Sequence, residues 1–359
     1  MATMKALVYT GHNTVAIQDR PKPTLLSPTD AIVRMLHASI CGSDLHILKG
    51  DVPTIPPPRV LGHEGVGVID SVGSAVQGLS KGDRVLIAAI TSCGSCRFCQ
   101  RGIPAHCLSG GWQLGNKTDG TQAEFVRVPH ATLSLSKLPA NIDPRAAVAI
   151  SDAFPTGLEC GVLNSNVDIG KSVVIIGAGP VGIAAMLCAL LYSPSLVVMV
   201  DLDESRLLLA KELGAHATVN SGASDAVDTL LKLTDGQGFD SVIEAVGVPA
   251  TFELSQELVA VGGAIANVGV HGKKVDLHIE KLWDRNISIN MKLLNANTIS
   301  KLLRLVESGK LDVSKMVTHS FPFTEASNAY ETFRTASQHN CLKVAISFDP
   351  EGKQSIAKI

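Results

Sequence analysis

The run KSVVIIGAGPVG, Lys171 to Gly182, constrains the chain more than any other stretch. A β-type apolar segment breaks at Gly177 and resumes as a long apolar segment after Pro180, a punctuation that fits a strand, a tight turn and a helix. In this pattern Gly177 permits the turn, Gly179 lets a phosphate approach the backbone, and Gly182 allows the helix to pack closely on the strand. Pro180 and Val181 open the helix, whose free amides suit a pyrophosphate. A second apolar run ends at Asp201, where a carboxylate can accept hydrogen bonds from ribose hydroxyls. Nucleotide binding is the expectation, with a plain turn as the alternative; for Asp201 the alternative is a strand-end cap. A carboxylate there repels the 2′-phosphate of NADP, and Leu202, Asp203 and Glu204 bring no arginine to offset it. The expected dinucleotide is therefore NAD.

Ser172 to Val200 carries no charged residue, which on hydropathy alone resembles a membrane span. Gly177, Gly179, Pro180, Gly182 and Pro194 divide it into strand, turn, helix and strand, so no membrane partner is expected. At 359 residues two domains with separate cores are anticipated. Hydrophobic residues make up 45% and aromatics only 4%, leaving Val, Ile, Leu and Ala to fill cores, as in parallel sheets buried on both faces. A net charge of -2 without a basic cluster argues against nucleic acid. The opening MATMKALVYTG reads as a strand without a secretory leader, so a reducing, cytoplasmic setting is expected.

The first 150 residues or so hold short β-type runs (MKALVYT, TVAIQ, AIVRMLHA, GVGVIDSV, DRVLIAAI, AEFVRVP) split by Gly, Pro and Asp, which predicts a small twisted β barrel with loops. Beyond Asp168 the pattern alternates strand and helix, predicting parallel βαβ units with right-handed crossovers and an α/β fold class. One predicted helix runs from about Ser205 to Leu213, with Leu207, Leu208 and Ala210 set against Arg206, Lys211 and Glu212. Near the end, SKLLRLVESGK predicts a helix and CLKVAISF a strand returning to the first domain.

Two sets of metal-binding residue types stand out. Cys93, Cys96, Cys99 and Cys107 can close a tetrahedral shell of four thiolates, which leaves no open position and marks a structural zinc. Disulfides or a redox cluster are the alternatives, the former disfavoured in a reducing compartment. Cys41, His63, Glu64 and Asp152 are dispersed; Cys41, His63 and Asp152 offer one sulfur, one nitrogen and one oxygen, the incomplete shell that a catalytic zinc needs. Spacing alone does not bring them together, and singly Cys41 reads as a buried small residue and His63 as a loop histidine.

GHEGVG, CGSD followed by a histidine, the four-cysteine lobe and GAGPVG, taken together, resemble the zinc-dependent medium-chain alcohol dehydrogenases over essentially the whole chain. The resemblance implies a GroES-like β-barrel catalytic domain at 1–153 with a zinc lobe at about 91–108. It further implies a doubly wound Rossmann domain at 154–293, a return segment at 294–359, and an active site in the cleft between the domains. It implies NAD and two Zn²⁺ per subunit, one held by Cys41, His63 and Asp152 and one by the four cysteines of the lobe. Glu64 resembles the glutamate that approaches the metal during ligand exchange. Ser43 resembles the hydroxyl that bonds the reacting oxygen, and His46 the outer end of a proton relay through the cofactor ribose. Asp44 resembles the carboxylate that orients the ligand histidine. Thr156 matches a residue near the nicotinamide, and the backbone at Val268 and Val270 matches the strand end that holds the carboxamide. Lys343 resembles the basic residue that neutralises the pyrophosphate, with a solvated lysine as the alternative. Arg206 and Val246 complete the expected cofactor-binding set.

Two departures mark this chain. Asp152 stands where many members have cysteine, as in the branches that include bacterial secondary-alcohol and formaldehyde dehydrogenases. Lys292 stands where relatives commonly have glycine. Trp112, Phe154 and Leu294 are expected in the substrate pocket, with ordinary core packing the alternative for each, and they favour an apolar primary or secondary alcohol, or its aldehyde or ketone. A polyol or amino-alcohol substrate is the second choice. A catalytically silent NAD-binding zinc scaffold is the rival from another class. A homodimer or homotetramer is expected from the resemblance.

Overall fold

The computed structural model describes residues 2–348. The chain forms two compact units, Met1–Asp152 with Ile299–Ile359, and Ala153–Thr298. The first boundary falls one residue from position 153, whereas the second falls at Thr298 rather than 293. The reason is local: the buried Glu159 carboxylate accepts hydrogen bonds from the backbone of Asn295 (3.0 Å) and Thr298 (2.9 Å) and from the Thr298 hydroxyl (2.9 Å), tying that loop to the central unit.

The first unit is built from two sheets. In the smaller, Thr3–Gly11 lies between Thr14–Pro21 and Arg59–Val60, antiparallel to both. The larger runs in the order Val317–Pro322, Lys343–Ser347, Ala31–Ser39, Gly65–Val72, Arg84–Ile87 and Leu135–Lys137, with Phe125–Val128 also paired to Ala31–Ser39. Alternation sets its faces: along Ala31–Ser39, Ala31, Val33, Met35 and Ala38 enter a core with Ile69, Val85, Ile87 and Val126. The late segment CLKVAISF supplies Lys343–Ser347, which pairs antiparallel with Ala31–Ser39 so that Ala345 faces Ser39. That register joins Lys343–Ser347 to a strand some three hundred residues earlier in the chain.

The second unit holds a six-stranded, wholly parallel sheet ordered Ala217–Asn220, Leu196–Asp201, Ser172–Ile176, Phe239–Glu244, Val259–Asn267 and Ser288–Met291. Strand order reverses beside Ser172–Ile176, and such a switch point opens a crevice at the carboxyl ends of the strands. The helix Pro180–Leu190 is apolar all round because it is covered on more than one side. The sheet lies beneath it, and Gly157 approaches so closely that a Cβ there would stand 2.5 Å from the amide nitrogen of Ala185. Among the described residues no helix is long and apolar enough to cross a membrane. The uncharged stretch from Ser172 to Val200 is strand, turn, helix and the start of the next strand. The helix predicted from about Ser205 spans Glu204–Glu212 and begins where Asp203 accepts from the amides of Ser205 and Arg206.

Candidate active site

Three loops of the first unit converge on one point. Cys41 caps the helix Gly42–Lys49, His63 follows Gly62, which needs its positive φ of +92°, and Asp152 ends the turn Val148–Ser151. Ser151 joins two of these segments: its hydroxyl accepts from the Gly65 amide at 3.1 Å and lies 3.3 Å from the Gly65 carbonyl. Asp152 Oδ2 consequently stands 3.4 Å from Cys41 Sγ and 3.4 Å from His63 Nε2. Donor atoms of Cys41, His63, Glu64 and Asp152 all lie within 4.8 Å of one another.

The donor set fits zinc. It offers one sulfur, one nitrogen and one oxygen at the spacing of ligands around a single ion, a shell with room for a fourth group. Burial pushes the Cys41 thiol up, and the Asp152 charge adds to this, so a cation is what would favour its thiolate. Burial alone would lower His63, but hydrogen bonds to Asp152 and Cys41 outweigh it and raise the imidazole well above its usual range. Two residues past Cys41, the Ser43 hydroxyl is buried without a hydrogen-bond partner among the described residues. An unsatisfied buried hydroxyl costs free energy unless a ligand completes it. His46, on the same helix, faces outward: its side chain is 42% exposed and its Nδ1 lies 2.9 Å from Asp51.

Two expectations are corrected here. Asp44 does not hydrogen-bond the His63 ring; its Oδ2 accepts from the Cys41 amide at 2.9 Å and the Gln122 side chain at 3.3 Å, and Oδ1 has no partner. As the third residue of the helix it reaches back to the cap, so it fixes the backbone of the thiol ligand instead. Lys343 is buried, and its ammonium lies 2.8 and 2.7 Å from the two oxygens of Glu64, which also accepts from Ser39. Glu64 is fully buried beside His63, and a buried carboxylate needs a counter-charge close by. The lysine compensates Glu64 and is not the solvated residue that was the alternative for this position.

Sequence reasoning missed Gln122 and Tyr330. The Tyr330 hydroxyl donates to Gln122 at 2.8 Å, and Gln122 donates to Asp44, so the helix Ala326–Arg334 supports the Cys41 segment through buried polar groups. Neither residue belongs to a recognisable motif, and their meeting depends on the late segment returning. Trp112 stands edge-on to His63 with ring centroids 5.8 Å apart. Phe154 and Leu294 belong to the second unit, where both are buried.

The four-cysteine lobe is equally compact. Its sulfurs lie 3.9 Å (Cys93 to Cys99), 3.6 Å (Cys96 to Cys99) and 3.9 Å (Cys96 to Cys107) apart. Zn–S bonds of about 2.3 Å in a tetrahedron require edges of roughly 3.8 Å. Burial pushes Cys93 up, but amide donors from Ser95 and Cys96 prevail and bring it down to about 5, while burial pushes Cys99 up to about 12. None of the eight cysteines, all within the described residues, forms a disulfide; Cys160, Cys188 and Cys341 are buried outside both sets, and burial holds Cys188 at about 12.

In the second unit the glycine turn has the form a phosphate cradle needs. Gly177 has φ +102°, and a Cβ at Gly182 would collide with the Gly177 carbonyl oxygen, whereas at Gly179 it would meet only Arg206 Nη1, 3.9 Å away. Asp201 accepts from the Ala178 amide at 2.6 Å and the Asp203 amide at 2.9 Å. It therefore caps the turn and still keeps a negative charge at the carboxyl end of its strand. Arg206 lies over the turn, with Nε 4.0 Å from Asp203. At the neighbouring strand ends Val246 and Val270 are exposed and Val268 is half-buried, its amide donating to the Glu244 carbonyl at 2.8 Å, while Thr156, half-buried, ends the helix Ala153–Thr156. Lys292 is exposed just past the Ser288–Met291 strand.

Known proteins resemble this chain over nearly its whole length. Residues 27–140 match the alcohol dehydrogenase GroES-like domain, and residues 180–308 match the zinc-binding dehydrogenase family. The chain is 33% identical over 365 residues to an alcohol dehydrogenase of Cupriavidus necator, covering 96% of this chain and 99% of that protein. It is 46% identical to the solved zinc-dependent alcohol dehydrogenase 2 from Streptococcus pneumonia, apo form, with a TM-score of 0.92 over 96% of this chain and 99% of that one. The alcohol dehydrogenase TADH of Thermus sp. ATN1 is 35% identical, with a TM-score of 0.89 and the same coverage.

Proposed function

The chain belongs to the zinc-dependent medium-chain alcohol dehydrogenases, and from that membership we propose that it exchanges hydride between NAD(H) and an apolar primary or secondary alcohol, or its aldehyde or ketone. The observation that carries this reading is the meeting of Cys41, His63 and Asp152, with a buried Ser43 hydroxyl two residues past Cys41 that has no hydrogen-bond partner among the described residues. Zinc, once held by those three residues, supplies Lewis acidity to the substrate oxygen. A role for Ser43 in exchanging a proton with that oxygen is supported by its hydroxyl having no hydrogen-bond partner among the described residues. His46, paired with Asp51 at the surface, is the outlet through which the proton reaches solvent. Asp44 holds the Cys41 backbone still, and Lys343 keeps Glu64 compensated next to the ligand set. Trp112 gives the set an apolar neighbour, which supports a preference for an apolar substituent.

The preference for NAD over NADP is supported by Asp201, whose carboxylate at the carboxyl end of its strand would repel a 2′-phosphate, and by Arg206, the nearby cation, which already faces Asp203. The four-cysteine lobe is read as a structural zinc site, closed to substrate. Association of copies through the Ser288–Met291 sheet edge is supported by exposed Met291 (71%) and Trp283 (76%) on and beside that strand, a patch that water disfavours.

NAD(P) reduction measured against a panel of alcohols, with zinc content determined, tests the reading. Turnover of apolar alcohols with NAD is expected, and Cys41→Ala should abolish turnover while NADH still binds. Substantial activity in that variant would refute a catalytic role for the set, and zinc-replete protein that oxidises no alcohol would favour the silent scaffold.

A further inference from the structure

Beneath the turns that carry Val246 and Val270 lies a buried carboxylate with no part in the roles above. Glu244 ends the strand Phe239–Glu244 and is fully buried. Its Oε1 accepts from the amides of Val246 at 2.9 Å and Gly247 at 2.8 Å, and from the Thr251 hydroxyl at 2.8 Å. Its backbone carbonyl accepts from the amides of Val268 and Gly269 at 2.8 and 3.1 Å. One residue therefore holds both turns.

The other oxygen, Oε2, makes no hydrogen bond among the described residues and faces His271 Nε2 at 3.5 Å. That nitrogen lies 2.8 Å from Asn267 Oδ1, while Asn267 Nδ2 donates to the Gly269 carbonyl at 3.1 Å. Because the Asn267 nitrogen is the donor to Gly269, its oxygen is the acceptor and His271 Nε2 carries the proton. The ring is held edge-on against Phe252, with centroids 5.9 Å apart. Two glycines make the approach possible: a Cβ at Gly269 would collide with the Gly247 amide and stand 2.5 Å from Glu244 Oε2. Above this buried group, Val246 and Val270 present exposed apolar side chains.

We propose that Glu244 and His271 are positioning residues that set the spacing of these two turns and so preform the surface that receives the nicotinamide half of the dinucleotide. The proposal rests on the NAD reading above. Preorganised loops bind more tightly because less freedom is lost on binding. The test is titration with NADH and with ADP-ribose, which shares the adenosine and pyrophosphate but lacks the nicotinamide. In His271→Phe, which keeps an aromatic ring against Phe252 but removes the N–H, NADH is expected to bind about tenfold more weakly, a change of about 1.4 kcal/mol. ADP-ribose should bind as in the wild type. His271→Gln, whose amide nitrogen can take the place of Nε2, should recover most of the NADH affinity. Glu244→Gln puts an amide N–H against the His271 N–H and should show the same selective loss, so the idea survives a misfolded His271→Phe. Equal weakening of both ligands, unchanged NADH affinity, or no recovery in His271→Gln would overturn it. Wild-type protein that binds neither ligand would overturn the dinucleotide reading itself, and the proposal with it.

Discussion

Replacing Lys343 with methionine separates its two possible roles. Methionine keeps the length and apolar stem of the side chain but leaves Glu64, fully buried, without its counter-charge. Breaking a buried ion pair from one side costs about 3–5 kcal/mol, and the low end applies here because Ser39 still donates to Glu64. For a unit of about 200 residues, a loss of about 3 kcal/mol lowers the melting temperature by roughly 6–12 °C. Glu64→Gln in the same background removes the stranded charge, so the double variant should regain about 2 kcal/mol of that loss, a coupling within the range expected for contacting residues. Thermal unfolding of zinc-loaded protein, followed by Trp112 in a Trp283→Phe background, reports the first unit alone, since the chain has 2 tryptophans. The double variant should bind NADH with wild-type affinity. A single variant as stable as the wild type, a double variant no better than the single, or a large loss of NADH affinity in the double would show that the lysine serves the pyrophosphate after all.

Ser43→Ala should lower kcat by about 10²-fold or more, the usual weight of a positioned proton donor and acceptor. Because Ser43 Oγ has no hydrogen-bond partner among the described residues, stability should stay within about 0.5 kcal/mol in urea unfolding. His46→Ala should lower kcat at low buffer concentration and regain activity as imidazole is added, since the lost group stands at the surface; activity independent of buffer would remove it from the proton path. Gly182→Ala forces a Cβ into the Gly177 carbonyl and should cost about 1–3 kcal/mol in the second unit and abolish NADH binding, measured by fluorescence titration. Cys99→Ser should halve the zinc content of purified protein and unfold the lobe locally, seen as faster amide exchange at residues 93–107, if the four sulfurs share one ion.

Much of the second unit was legible in advance because its signals are local. The glycines at 177, 179 and 182 each serve a contact made within a few residues of themselves, and alternating strand and helix patterns impose a parallel sheet with one crossover hand. The four-cysteine lobe was legible for the same reason, its ligands lying in a single short loop. Arg206 was expected only as a charged residue of its helix and a member of the cofactor-binding set; that it faces Asp203 required the fold.

The sequence by itself therefore determined the nucleotide turn, the class of sheet around it and the thiol lobe, all features whose geometry is set by neighbours in the chain. It named Cys41, His63 and Asp152 as candidate ligands but held nothing that would make them meet. Tertiary structure decided that, through the Ser151 bridge to Gly65 and the packing of three separate loops. It also decided the roles of Asp44 and Lys343. A helix cap draws a carboxylate toward its own backbone, and a buried glutamate, once folded in, draws the nearest cation. Both outcomes follow from the cost of leaving charge unpaired away from water, and that cost is known only when the burial of each group is known.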